Sequence, residues 1–388
     1  MLIRQAFRFR LKPSAKIAHM LVCTAGARRF VWNRALEIQR ARLDNDEGIL
    51  SYADLCKLLV EWKKDPETAW LNEQPSQPLQ QVLKDLNRAL KDGLSKARGM
   101  PRFKCKGVKE GFRYPQGVKV EGNQVYLPKI GWVRFRKSRE VLGAVKNVTT
   151  SLEGRHWTIS IQTEREVPDP IHPSDRCTAI DLGVSLLGKL FDGTEIKALK
   201  LWVQYRARIC RDQRSLARKV KGSANYKKQR LRLARLWRRM HDIRLDYLHK
   251  ITTDLSKNHA VIYVEDLAVK QMTQSASGSG SGRKAWLNRA ILEQGWYEFR
   301  RQLEYKLAWA GGELIAVDPR YTSQKCPECG YTARGNRPER DRFSCQVCGY
   351  TAHADLVGAQ NIMAAGHAVS ACGANGLRRA VAQESLRL

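Results

Sequence analysis

Three acids in this sequence stand where acids are costly. Asp181 lies inside an apolar run, residues 178–184 (TAIDLGV), Glu265 ends residues 262–265 (VIYVE without its first Val), and Asp355 opens a helical pattern, ADLVGAQNI. An ionised carboxylate inside a buried element is expensive unless it is paired or holds a metal. In a mixed sheet flanked by helices, the first two acids fall on neighbouring central strands, and the helix brings the third over the sheet edge. Three converging carboxylates can hold two Mg²⁺ ions about 4 Å apart, one activating water and the other stabilising the leaving oxygen of a phosphodiester. Mn²⁺ suits the same oxygens. Singly, each acid has a plainer reading: an Asp beside Gly forms turns, and Glu265-Asp266 is a common solvated strand end.

The second constellation is Cys326, Cys329, Cys345 and Cys348, two C-x2-C pairs separated by fifteen residues, each followed by glycine (CPECG and CQVCG). Two thiolates two residues apart grip one ion from a tight turn. Two such knuckles close a tetrahedron, which specifies one structural Zn²⁺ rather than a catalytic one. The other six cysteines are scattered singly, and packing is their expected role.

Four regions must position these groups. The first starts with an alternating strand at 5–11 (QAFRFRL), then basic helical patterns at 14–42, 52–64 and 79–98. The second, 113–166, alternates apolar and polar residues between glycines, which predicts a small antiparallel barrel or sheet. Pro168, Pro170 and Pro173 form a linker. The third holds strands at 177–184, 260–264 and 313–317, a hairpin at 191–196, a long basic helical stretch, a Ser/Gly-rich segment at 275–282 and one helix at 287–310. That Ser/Gly segment follows Glu265 closely and reads equally as a lid or a spacer. The fourth is the cysteine insert, 322–350, a helix at 355–365 and an Ala/Gly-rich tail.

Composition narrows the partners. The 388 residues carry 69 Lys and Arg against 38 acids, a formal charge of +31, which calls for a polyanion. No apolar run approaches the roughly 20 residues that span a bilayer, and the N-terminus lacks a secretory h-region, so nucleic acid in a reducing cytoplasm is expected rather than membrane. Between Arg206 and Arg244 there are fifteen Lys or Arg and two acids.

The chain also resembles the TnpB proteins of insertion sequences, relatives of compact type V CRISPR effectors. The resemblance rests on FRFRLKP (7–13), RRFVWN (28–33), PRFK (101–104), FRYPQ (112–116), IDLG (180–183), VEDL (264–267), GWYEF (295–299), TSQ (322–324), Ala354-Asp355 and Asn361-Ile362. It departs at Ala354, where the family usually has a basic residue, and in wording after Asp181; neither change removes a carboxylate.

The resemblance implies a multidomain α+β protein. A wedge β-barrel would take its first strand from 1–13 and the remainder from 101–168, with a helical recognition domain inserted at 14–100. A RuvC-like nuclease of RNase H fold would follow at 169–321 and 352–366, with a zinc ribbon at 322–351 and a tail at 367–388. Asp181, Glu265 and Asp355 would be catalytic and hold Mg²⁺. The implied partners are a noncoding guide RNA from the transposon end and double-stranded target DNA next to a short motif, with an RNA-bound monomer as the active form. Arg29, Arg34, Lys84, Arg88, Arg230 and Arg238 suit phosphates, Tyr114 and Trp132 bases, and Arg337, in the ribbon tip GNRPER, the substrate near the metals.

Four competing functions differ in what they leave unexplained. An RNA-guided repressor would share the fold but not need all three acids. A DDE-type transposase shares the RNase H fold, yet the ribbon between the second and third acids points away from it. A tyrosine transposase needs closely spaced histidines, and the eight here never fall within three residues of one another. A zinc-ribbon transcription factor would leave the acids unaccounted for.

Overall fold

The computed structural model describes residues 1–108, 110–154, 156–274 and 281–373. Its contacts divide the chain into two compact units, Met1–Pro168 and Asp169–Leu388.

The first unit opens with β1 (Leu2–Lys12) and then three helices, α1 (Ala15–Asp44), α2 (Tyr52–Lys64) and α3 (Ser76–Leu94). Ser14 caps α1 through Ile17 N–H, and Ser51 with Asp54 forms a reciprocal capping box on α2. The helices bury Trp32, Leu36, Leu55, Leu83 and Leu86 among themselves. Six strands follow: β2 (Gly111–Tyr114), β3 (Lys119–Glu121), β4 (Gln124–Leu127), β5 (Gly131–Arg136), β6 (Ala144–Glu153) and β7 (His156–Glu166). With β1 they make one antiparallel sheet in the order β2-β6-β7-β1-β5-β4-β3. The expected small barrel is a half-barrel: β2 and β3 stand at opposite edges, and the sheet curls over a core of Phe7, Phe9, Tyr114, Val133, Ile159 and Ile161.

The second unit is built on β8 (Cys177–Leu182), β9 (Leu186–Leu190) and β10 (Glu195–Lys197), the long basic helices α4 (Leu201–Ala217) and α5 (Ala224–Asn258), then β11 (Val261–Glu265). A short turn α6 (Val269–Met272) leads to α7 (Ser281–Gln294), α8 (Trp296–Ala310) and β12 (Glu313–Val317). The single helix expected at 287–310 is two, because Gly295 takes φ +72°, a left-handed conformation that breaks the helical ladder between α7 and α8. The possible lid falls mostly outside the described residues. The five strands run β10-β9-β8-β11-β12; β8, β11 and β12 are parallel, and β9 and β10 turn back antiparallel.

The ribbon contributes β13 (Arg342–Ser344) and β14 (Thr351–His353), and the chain then enters α9 (Ala354–Gly373). This helix runs past the end expected at 365, into what the composition suggested was tail. Alternation along the strands decides its seat. Ile180, Ile262 and Val264 face the core shared with Leu248, Phe299 and Leu303 of α5 and α8. Ala179 and Tyr263 face the opposite side, where they meet Ile362 of α9. Among the described residues, no helix is long and apolar enough to cross a membrane.

Candidate active site

The same alternation places two of the three acids. Tyr263 pairs with Ala179 and Val264 with Ile180, so Glu265 and Asp181 come next on adjacent parallel strands. Both share the face of Ala179 and Tyr263, the one covered by α9. Asp355 sits in the first turn of that helix, where the exposed N–H groups and the helix dipole favour an anion. The three sequence-identified acids are thus brought to one place by three different elements.

Close approach of α9 to the sheet depends on two glycines about two turns apart. A Cβ on Gly358 would stand 2.6 Å from Asp181 Oδ2, and one on Gly366 would stand 2.1 Å from Cδ1 of the Tyr263 ring. A Cβ at either position requires a shift, of the Asp181 carboxylate at Gly358 and of the Tyr263 ring at Gly366.

Asp181 is where the charge of this site is most costly. Burial, then the charges of Glu265 and Asp355, push Asp181 up to about 8, against the pull of Arg337. Burial also raises Glu265, opposed by a hydrogen bond from the Thr322 hydroxyl. The cost of charge at Asp181 is relieved by a divalent cation, and carboxylate oxygens are the donors that hard ions such as Mg²⁺ take. The chemistry of the donor set therefore fits such an ion.

The ribbon reaches into this cluster. Thr322 Oγ1 donates to Glu265 Oε1 at 2.6 Å, and the Thr322 carbonyl accepts from Asn361 Nδ2 of α9 at 2.7 Å. The same Asn361 amide donates to the carbonyl of Lys325 at 2.7 Å. Arg337 Nη2 lies 3.6 Å from Asp355 Oδ1, and its guanidinium is braced by the carbonyl of Arg340. Arg340 itself donates to Ser185 Oγ, just beyond β8. The sequence reading placed Arg337 near the acids but gave Thr322 and Asn361 no role. Their motif words were visible, yet the hydrogen bonds join residues 57 and 39 positions apart.

The four cysteines meet as expected. Their sulfurs lie within 4.8 Å of one another, the one such group among the described residues, with Cys326 and Cys345 buried and Cys329 and Cys348 exposed. Gly330 and Gly349, both at φ +74°, fold each knuckle so that their N–H groups return to the carbonyls of Cys326 and Cys345. This set can bind a zinc ion.

The proposed nucleic-acid contacts divide. Arg34, Lys84, Arg88 and Arg230 are exposed. Arg29 pairs with Glu110 at 3.1 Å, and Arg238 with Asp242 at 2.7 Å. Trp132 remains 39% exposed against Tyr126. Tyr114 is different: its ring is fully buried and its hydroxyl donates to the carbonyl of Pro128, so it packs the half-barrel instead of offering a face to a base.

The chain is similar to several known proteins. Family models match residues 296–362 ("Cas12f1-like, TNB domain"), 160–276 ("Probable transposase", of the OrfB_IS605 type) and 1–47 ("Helix-turn-helix domain"). Over that last span the structure holds β1 and one continuous helix, α1. The chain is 51% identical to "Putative RNA-guided DNA endonuclease InsQ" of Escherichia coli K12, covering 95% of this chain and 94% of that one. It is 36% identical to a "Putative RNA-guided DNA endonuclease" of Streptomyces pristinaespiralis, over 97% and 92% of the two chains. A solved structure of the mini-RNA-guided endonuclease CRISPR-Cas_phi3 aligns over 94% of this chain and 92% of that one, at 12% identity and a TM-score of 0.44. On the strength of the two full-length relatives, the chain belongs to the TnpB/IS605 family.

Proposed function

We propose that this chain is an RNA-guided DNA endonuclease of an insertion sequence that hydrolyses phosphodiesters at Asp181, Glu265 and Asp355. The observation that carries the reading is the placement of these acids, from β8, β11 and α9, on one face of the five-stranded sheet, which supports an RNase H fold for the second unit. The names of the full-length relatives support the RNA-guided activity.

Within the site, Asp181 and Asp355 would hold the cations through carboxylate oxygens. Glu265 would do so in an orientation set by the Thr322 hydroxyl. Arg337 holds positive charge beside Asp355, where a scissile phosphate would gain a second contact. Divalent cations bound there supply an activated water and stabilise the leaving oxygen. The basic helical surfaces would hold a guide–target heteroduplex through its phosphates, while base pairing supplies sequence specificity. We assign the guide to the transposon end, the first unit to reading a short motif beside the target, and an RNA-bound monomer as the active form.

Co-expression with the flanking end of the element, followed by sequencing of RNA that co-purifies, identifies the guide. Target DNA matching that guide is then supplied with Mg²⁺ to wild type and Asp181→Ala. Cleavage by wild type alone, with binding kept by both, is the expected result. Guided binding without cleavage by either protein would establish a repressor instead, and absence of RNA would remove both readings.

A further inference from the structure

Away from the carboxylates, α4, α5 and α7 assemble an aromatic surface that the proposed chemistry does not use. Trp202 of α4 and Trp237 of α5 lie with ring centroids 6.2 Å apart and planes 20° from parallel. Arg289 of α7 sets its guanidinium 4.3 Å from the centroid of Trp202. One turn earlier on α7, Trp286 is 62% exposed, and Trp237 itself is 42% exposed although its neighbours Leu236 and Met240 are buried. Packing therefore accounts for part of each indole and leaves the rest to solvent.

The setting is strongly cationic, with exposed Arg235 and Arg239 flanking Trp237 on α5. The surface is also tethered to the end of β8. The Trp202 backbone N–H donates to the Glu293 carboxylate, and the next residue, Gln294, donates from Nε2 to the carbonyl of Val184 at 3.1 Å, three residues beyond Asp181.

We infer that this surface holds an unpaired stretch of the DNA strand being cut, with bases stacked on Trp237 and Trp286 and phosphates met by Arg289 and the α5 arginines. A duplex hides its base faces, whereas a single strand offers them, and stacking tolerates any base because each has a π face. DNA is the occupant because the strand being cut must pass Asp181, and the surface is fastened through Gln294 to the backbone three residues beyond that acid. The inference rests on the nuclease reading given above.

The test uses the assembled RNA complex in an Asp181→Ala background, which keeps the DNA intact. In separate arms, 5-bromodeoxyuridine is placed in either DNA strand, or 5-bromouridine in the guide, and ultraviolet crosslinks are mapped to peptides. Crosslinks from a DNA strand to peptides containing Trp202, Trp237 or Trp286 are expected. In the otherwise wild-type complex, Trp237→Ala should slow cleavage about tenfold with guided duplex binding kept, and Trp237→Phe should recover most of the rate. Crosslinks from the guide alone, from neither nucleic acid, or full-rate cleavage by Trp237→Ala would overturn the inference. If no guide RNA assembles, the nuclease reading fails by itself. The surface is then judged by oligothymidylate binding to the purified chain across a salt series. A loss of about tenfold in Trp237→Ala with unchanged salt slope supports stacking, and equal affinities overturn it.

Discussion

Replacing Gly358 by Ala separates the positioning of Asp181 from the stability of α9. In an exposed helix interior, alanine is favoured over glycine by about 0.5–1 kcal/mol. Here the new Cβ would stand 2.6 Å from Asp181 Oδ2 and 3.0 Å from Cγ. Ordinary contact then requires the carboxylate or the helix to retreat by about 0.4–0.8 Å, an overpacking that costs roughly 1–3 kcal/mol. Offset by the helix preference, the net loss is about 0–2 kcal/mol, small enough for the chain to fold and load its RNA. Catalysis is less forgiving, because a displacement approaching 1 Å in a reacting group lowers rates by up to about 10²-fold. Single-turnover cleavage of a guided target should fall by about 10–100-fold, while target binding stays at the wild-type level. Gly366→Ala gives the contrast: its Cβ meets the Tyr263 ring at 2.1 Å, so it should lower the melting temperature and the yield of folded complex together. Cleavage by folded Gly358→Ala within about twofold of wild type would refute the placement of α9 against Asp181.

Other perturbations test the remaining contacts. Thr322→Val removes the 2.6 Å hydrogen bond to Glu265; a bond to a charged acceptor is worth about 1.5–3 kcal/mol, so cleavage should drop about tenfold or more, with Thr322→Ser recovering most of it. Cys345→Ser should abolish stoichiometric zinc in the purified protein, measured by a colorimetric chelator, and reduce cleavage more than guided binding. The metal-free chain should lose stability with rising pH at Asp181, because a carboxyl whose folded pKa is raised to about 8 binds its proton more tightly folded than unfolded. That stability is full below about pH 4 and is lost toward pH 8. Asp181→Asn should therefore flatten the slope of melting temperature against pH and stabilise the metal-free protein at pH 8 by on the order of 1–3 kcal/mol, while abolishing cleavage. An unchanged slope would show that Asp181 titrates normally.

The acids and cysteines were legible because each group's chemistry conflicts with its surroundings unless a partner is present. An Asp inside TAIDLGV and a Glu after VIYV are costly on their own, and parallel strands in register put them side by side. The break at Gly295 was hidden, since both flanking helices share an apolar pattern and only a φ of +72° interrupts them. Tyr114 deceived for a different reason. Its place in a basic, aromatic motif suits nucleic acid, but its alternation in β2 points the ring inward. Thr322 and Asn361 could not be assigned roles from spacing, because their work is a pair of hydrogen bonds between segments that meet only after α9 docks.

Those hydrogen bonds change what the ribbon is for. A zinc knuckle set that only closed a loop would leave the acids indifferent to its folding. Here the segment entering the first knuckle holds Glu265 through Thr322, and the loop between the knuckles sets Arg337 beside Asp355. Asn361, two helical turns along from Asp355, fastens the carbonyls of Thr322 and Lys325 to α9. The third acid and the clamp on the second are therefore borne by one helix, and the ribbon is stretched between them. A zinc ion held by the four cysteines would keep Thr322 against Glu265 and Arg337 beside Asp355 before a divalent cation arrives. On the function proposed above, a zinc ion held at this point in the chain would act on catalysis by fixing geometry, without any of the four sulfurs touching the reacting atoms.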